Sequence, residues 1–192
     1  MKFKDIQKDL KKKQKSSRYQ HTMGVVETAD ILAKIHGADV SKANMAALLH
    51  DCAKHIGDAE KIAMCREYGV PITEAEQANP SLLHAKCGVI VAEYVYGIID
   101  HEILHAILVH TTGVPNMSLL DKIIFISDYI EPNRDKAPHL KELRELAKKD
   151  LDLTTYQIMR DTVQYLNQRT EQVMDPTTEE AYRYYAKLCK GE

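Results

Sequence analysis

The 192-residue chain is short of most features that would place it in a specialised class. Glycine (8) and proline (6) are sparse, which excludes collagenous and low-complexity character, and 28% charged against 44% hydrophobic residues is an ordinary globular balance. The four cysteines, Cys52, Cys65, Cys87 and Cys189, form no Cys-x-x-Cys pair. A disulfide frame or a zinc ribbon is therefore not expected, and any metal must use histidine and carboxylate. The most apolar stretch, residues 89–99, is broken by Glu93 and Gly97 and falls short of the roughly 20 residues that span a bilayer. A net charge of -2 argues against a nucleic-acid or anionic-membrane partner. The charge is unevenly spread: residues 1–20 hold eight Lys and Arg against Asp5 and Asp9, which reads as a solvated helix end rather than an anion-binding arm. No apolar h-region follows this basic start, so the expected location is cytoplasmic.

No run alternates as a strand would, and neither a repeat nor a linker is visible. Apolar residues recur at helical spacing almost throughout. The spacing predicts helices over 3–14, 18–36 ending at Gly37, 42–53 with Ser41 as N-cap, and 58–68 ending at Gly69, then a turn over 73–78. It continues with 82–96, 100–110, 118–130 after Ser118, 138–148 and 153–173. A last helix is expected near Thr178, where Thr177 and Glu180 have capping-box spacing. The expectation is a single all-α domain, an orthogonal bundle over residues 1–192.

Nine histidines need an explanation. His101-Glu102-Ile103-Leu104-His105 matches a zinc-protease helix, but Ile103, Leu104, Ile107 and Leu108 form the expected buried stripe and leave both histidines facing water. His36, near a helix end, and the loop residues His55 and His139 are assigned no function. His21 shares a stripe with Val25, Ala29 and Leu32, so its imidazole points inward and is either a satisfied core group or a ligand. His50-Asp51 closes a helix whose His50 face is Ala43, Ala46 and Ala47, small enough to let neighbouring helices approach. Asp128 sits on a helix that is apolar nearly all round, where a carboxylate needs a cation or several donors. Together, His21, His50, Asp51 and Asp128 make a mixed N/O set suited to Fe, Mn, Co or Zn rather than Ca.

This H…HD…D order resembles the HD-domain metal-dependent phosphohydrolases. His21-Thr22-Met23-Gly24-Val25, Leu48-Leu49-His50-Asp51-Cys52-Ala53-Lys54, Leu83-His84-Ala85, His110-Thr111-Thr112-Gly113 and, most diagnostic, Asp128-Tyr129-Ile130-Glu131-Pro132-Asn133-Arg134 narrow the resemblance. They are similar to blocks of the bacterial HD-domain symmetrical dinucleoside tetraphosphatases, over about residues 18–135. Residues 136–192 resemble that family only in length and helical character.

The resemblance implies a hydrolase that splits diadenosine tetraphosphate into two ADP, with His21, His50, Asp51 and Asp128 holding one divalent metal, iron first. His84 and His110 would then contact phosphate and protonate the leaving ADP, or complete a second metal site; phosphate contact is favoured. Arg18, one turn before His21, and Lys54, three residues after Asp51, are placed to grip phosphates, as are Arg134 and Thr111. The family likeness also implies that the turn over residues 172–177, with Val173, Asp175, Pro176 and Thr177, closes over the nucleotide. Tyr182, Tyr184 and Tyr185 read as packing or a homodimer contact rather than a base platform. The alternatives are an HD enzyme acting on a nucleoside monophosphate or cyclic dinucleotide, and a nucleotide sensor without turnover.

Overall fold

The structure, a computed structural model, describes residues 1–168 and 174–190. Eleven α-helices lie among them: α1 Phe3–Lys13, α2 Ser16–His36, α3 Val40–Leu49, α4 Asp58–Glu67, α5 Glu74–Ala78, α6 His84–Ile90, α7 His101–Val109, α8 Leu119–Ile130, α9 Leu140–Leu146, α10 Leu151–Asn167 and α11 Pro176–Lys190. No strand occurs among the described residues, and all four cysteines are free thiols, as expected from the sequence. No described helix is long and apolar enough to cross a membrane.

The centre is built by α2, α3, α7 and α8, each packed on at least two of the others. Small side chains make this possible. Ala43, Ala46 and Ala47 of α3 are fully buried, so the backbone of α3 is brought close to α2, α7 and α8. On helix α8, Ile123, Ile124, Phe125 and Ile126 are all buried, while the last turn, with Asp128 and Tyr129 part-exposed, reaches an opening. Its start is specified by Ser118, whose side chain accepts from the Asp121 backbone N–H while Asp121 answers on Ser118 N–H. Helix α2 stops at Gly37, which takes a left-handed φ of 73° that costs glycine little.

Several boundaries depart from the sequence expectation. Helix α3 begins two residues early because Asp39, not Ser41, accepts from the backbone N–H groups of Ser41 and Lys42. The expected single helix over 82–96 is a 3₁₀ turn at Pro80–Leu83, then α6, then a π-helical stretch at Val91–Val95. The last helix starts at Pro176 because the Asp175 side chain accepts from Thr177 N–H and proline suits a first helical turn. On α7 the buried residues are Ile103, Leu104, Ala106, Ile107 and Val109, whereas Leu108 is 39% exposed, so the apolar stripe is rotated from the expected one. The tyrosines of α11 serve packing inside this chain. Tyr185 is buried and its hydroxyl meets Met117 N–H, Tyr182 stacks on Tyr156, and Tyr184 donates to Asn116.

Candidate metal centre

Asp51 lies at the start of the turn that follows α3 and is buried. Its Oδ2 faces His50 Nε2 at 3.5 Å, His21 Nε2 at 3.9 Å and Arg18 at 2.6 Å. Asp128, on the last turn of α8, completes this side, 3.1 Å from His21 Nε2 and 4.0 Å from His50 Nε2. Its side chain is three-quarters buried, 25% exposed at the final turn of α8. Oδ1 of Asp51 looks the other way, to His84 Nε2 at 3.3 Å and His110 Nε2 at 3.7 Å. The sequence-derived ligands and both additional histidines are thus one cluster, with potential ligand atoms in each overlapping trio within 4.8 Å.

The imidazoles are held by their far nitrogens. Nδ1 of His50, His84 and His110 lies 2.7 Å from the carbonyl oxygen three residues earlier, of Ala47, Ser81 and Ile107 respectively. A carbonyl only accepts, so Nδ1 carries the proton and Nε2 is left with its lone pair. Among the described residues only five buried side-chain polar atoms have no hydrogen-bond partner, and two of them are His21 Nε2 and His50 Nε2. The 3.1 Å approach of His21 to Asp128 is within ion-pair range but poorly aligned for a hydrogen bond. Two orphaned lone pairs facing two carboxylates are costly for an empty polar pocket and suitable for a divalent cation. The donor set fits the metal that the sequence implies.

The charges agree. Burial pushes the Asp51 carboxyl up, but His50, His110 and His84 outweigh it and hold it well below the usual carboxylate range. Asp128 behaves likewise, with burial opposed by the His21 contact and by His50 and His110, and the net shift is downward. Burial, then His110 and Lys54, pushes His84 down to about 3. Burial also lowers Lys54, whose Nζ lies 3.2 Å from both ring nitrogens of His84.

The second side is arranged differently. His84 Nε2 and His110 Nε2 are 3.2 Å apart, and the Thr111 hydroxyl is 3.1 Å from each. Arg134, expected to reach phosphate, instead donates to the Asp128 carbonyl at 3.1 and 2.9 Å and meets Asp128 Oδ1 at 3.2 Å. Arg18 is likewise on Asp51. Asp175 and Thr177 share a cavity of about 230 Å³ with Thr111, which connects the start of α11 to the His84 side. Pro176 opens α11 beside them, and Val173 lies outside the described residues. His101 and His105 are exposed and apart from the cluster, with His105 paired to Asp121 at 2.9 Å.

Two contributors had no role in the sequence reading. Gln14 donates to the Asp51 carbonyl at 3.3 Å and accepts from Thr22 at 3.2 Å, tying the α1–α2 link to the centre. Glu131 Oε1 stands 3.2 Å from His21 Nδ1. Glu131 lay in the most diagnostic sequence block, but its use depends on contact across 110 residues.

Comparison with known proteins identifies the family. The HD domain family model matches residues 18–133, which include the whole cluster. The chain is 43% identical over 160 residues to the symmetrical bis(5'-nucleosyl)-tetraphosphatase of Halalkalibacterium halodurans, covering 83% of this chain and 84% of that one. It is 36% identical to the protein of that name in Staphylococcus aureus, over 91% and 90% of the two chains. A crystal structure from Clostridium acetobutylicum, described as an HD superfamily hydrolase involved in NAD metabolism, superposes with a TM-score of 0.93 at 37% identity and covers 98% of both chains. The chain belongs to the symmetrical bis(5'-nucleosyl)-tetraphosphatase family of HD-domain proteins.

Proposed function

We propose that the protein hydrolyses a dinucleoside tetraphosphate, diadenosine tetraphosphate first, at its central phosphoanhydride to give two ADP. The observation that carries this reading is the pair of orphaned Nε2 atoms on His21 and His50 facing Asp51 and Asp128, beside a second polar face of His84, His110 and Thr111. One divalent ion, iron ahead of Mn, Co or Zn, would be held by His21, His50, Asp51 and Asp128. It would supply Lewis acidity toward a phosphoryl oxygen and acidify water.

The chain's own residues do the rest. His84 and His110, tied at Nδ1, turn Nε2 toward the reacting phosphates, and one proton on Nε2 of the pair gives a donor to a phosphoryl oxygen. Burial holds His84 neutral until an anion arrives, so the proton is drawn in with the substrate. Lys54 stands over His84 and adds positive charge on the same side. Arg18 and Arg134 now hold the two ligand carboxylates. With those carboxylates committed to a cation, the Arg18 guanidinium is released to meet phosphate, while Arg134 stays anchored on the Asp128 carbonyl and offers its remaining N–H groups. The departing ADP is a stable anion, so charge neutralisation matters more than a strong acid.

Cavities on both sides suit a two-headed substrate. The one beside Thr111 includes Asp175 and Thr177, and one of about 590 Å³ beside Arg134 is lined by Tyr129, Gln164, Tyr165 and Gln168. Thr111 lines the first and Arg134 the second, so each cavity adjoins the cluster. Chromatography of products from diadenosine tetraphosphate tests the reading. Two ADP are expected; ATP with AMP, or no turnover by metal-replete protein, would contradict it.

A further inference from the structure

Helices α2 and α8 meet around a missing side chain. A Cβ added to Gly24, one turn after His21, would stand 2.3 Å from Glu131 Oε2 and 2.9 Å from Asn133 Nδ2. The glycine leaves room for a carboxylate that comes from the end of α8, and Glu131 fills that room with its side chain 3% exposed. Both of its oxygens are engaged. Oε1 meets His21 Nδ1 at 3.2 Å, while Oε2 accepts from Asn133 backbone N–H at 2.7 Å and from Asn133 Nδ2 at 3.0 Å. Arg144 fixes the same segment, donating to the carbonyls of Ile130, Glu131 and Arg134.

The other three imidazoles lean on a carbonyl three residues earlier in their own chain segment. His21 alone leans on a carboxylate from a distant helix. An acceptor at Nδ1 makes that nitrogen the protonated one and leaves the lone pair on Nε2, and a charged acceptor makes the lone pair more basic than a carbonyl does.

We propose that Glu131 is a positioning residue that fixes His21 in the Nδ1–H tautomer, aims Nε2 at the cation position, and depends on Gly24 for its place. This rests on the metal-centre reading above. Glu131→Gln offers a specific test, because an amide has one acceptor and one donor end. Two N–H groups of Asn133 already demand an acceptor, so the amide oxygen turns to them and its NH₂ turns to His21. The ring must then accept at Nδ1 and carry its proton on Nε2, where the cation should bind. Gly24→Ala displaces the same carboxylate sterically and changes no polar group.

Two readouts apply, neither of them turnover. Affinity for Mn²⁺ or Fe²⁺ by anaerobic chelator competition should fall roughly 10- to 100-fold in Glu131→Gln, the usual range for losing such a partner. Gly24→Ala should fall in the same direction, with little further loss when the two changes are combined. In metal-free protein at alkaline pH, ¹H–¹⁵N correlations of the histidine rings should show the His21 proton on Nδ1 in the wild type and on Nε2 in Glu131→Gln. Unchanged affinity and tautomer in Glu131→Gln would overturn the proposal. So would a loss of affinity with the tautomer unchanged, which would make Glu131 merely structural. Failure of the wild type to bind either ion would instead overturn the metal-centre reading. If Glu131→Gln does not fold, Gly24→Ala decides by both readouts: a fall in affinity with the His21 proton no longer fixed on Nδ1 supports the proposal, and wild-type affinity or an unchanged tautomer overturns it.

Discussion

The two oxygens of the Asp51 carboxylate look into different worlds. On the Oδ2 side, His21 and His50 present lone pairs with no hydrogen-bond partner, two carboxylates converge, and arginines stand in as counter-charges. On the Oδ1 side, the Nε2 atoms of His84 and His110 stand 3.2 Å apart around the single O–H donor of Thr111, with Lys54 above. The first side is incomplete without a cation, and the second needs only a proton. One carboxylate therefore links a metal-holding face to a phosphate-meeting face, and the chemistry can divide between them without two separate sites.

The sharpest way to break this comparison is to remove the first side. His50→Ala and Asp51→Ala should lose the metal with the helical fold largely kept. They should also lose Lewis acidity worth at least about 4 kcal/mol, a fall in kcat/KM of roughly 10³-fold or more. Metal analysis with steady-state kinetics checks this, and full metal occupancy in either variant would refute the ligand set. His84→Asn or His110→Asn should keep the metal and lose roughly 10²-fold in kcat, the lower part of the range for a positioned proton donor. Lys54→Ala should also keep the metal and lower kcat/KM roughly 10- to 200-fold, as one charge-assisted contact disappears. Arg134→Ala should fall in the same range but also weaken the metal, because Arg134 holds Asp128. Arg134→Lys should rescue only part, since an ammonium lacks the guanidinium fork.

The smallest effect concerns pH and the metal-free protein. His84 titrates near 3 when folded and near 6.5 when unfolded, so between these values the unfolded chain takes a proton that the folded chain refuses. Stability is therefore lost as pH falls, by about 1.4 kcal/mol per pH unit from this group. His21 acts in the opposite sense: burial opposes its proton, but Asp128 and Glu131 raise its pKa, so its stabilising contribution is full below about 6.5 and fades as pH rises. In chelator, the His84 contribution should lower Tm by roughly 2 to 4 °C from pH 6.5 to 5.5. Thermal melts should show this slope flattened in His84→Asn; an equal slope in the variant would place the titration elsewhere.

The clustering of His21, the His50-Asp51 pair and Asp128 was legible in the sequence because it rests on residue identity and order: His21 and Asp128 lie on α2 and α8, and His50-Asp51 directly follows α3. Helix ends set by local chemistry, Gly37 and Ser118, were legible for the same reason. What escaped depends on distance. The break of one expected helix into 3₁₀, α and π pieces is not marked by its apolar spacing. Where a cap had rivals, as with Asp39 beside Ser41, only the hydrogen bond identified it. The Glu131 carboxylate reaches His21 because two helices approach at Gly24, and no pattern within either helix records that approach. The arginines were read as phosphate grips, and their carboxylate partners Asp51 and Asp128 were not visible in their spacing.

The claim that only the Oδ2 side of Asp51 requires a cation can be tested by counting ions. Anaerobically purified and reconstituted wild type, and the double variant His84→Asn/His110→Asn, should each hold about one divalent ion per chain by elemental analysis, as the four ligands of the His21 side predict. Two ions in the wild type falling to one in the double variant would show that His84 and His110 are ligands, and would contradict the division between the two faces.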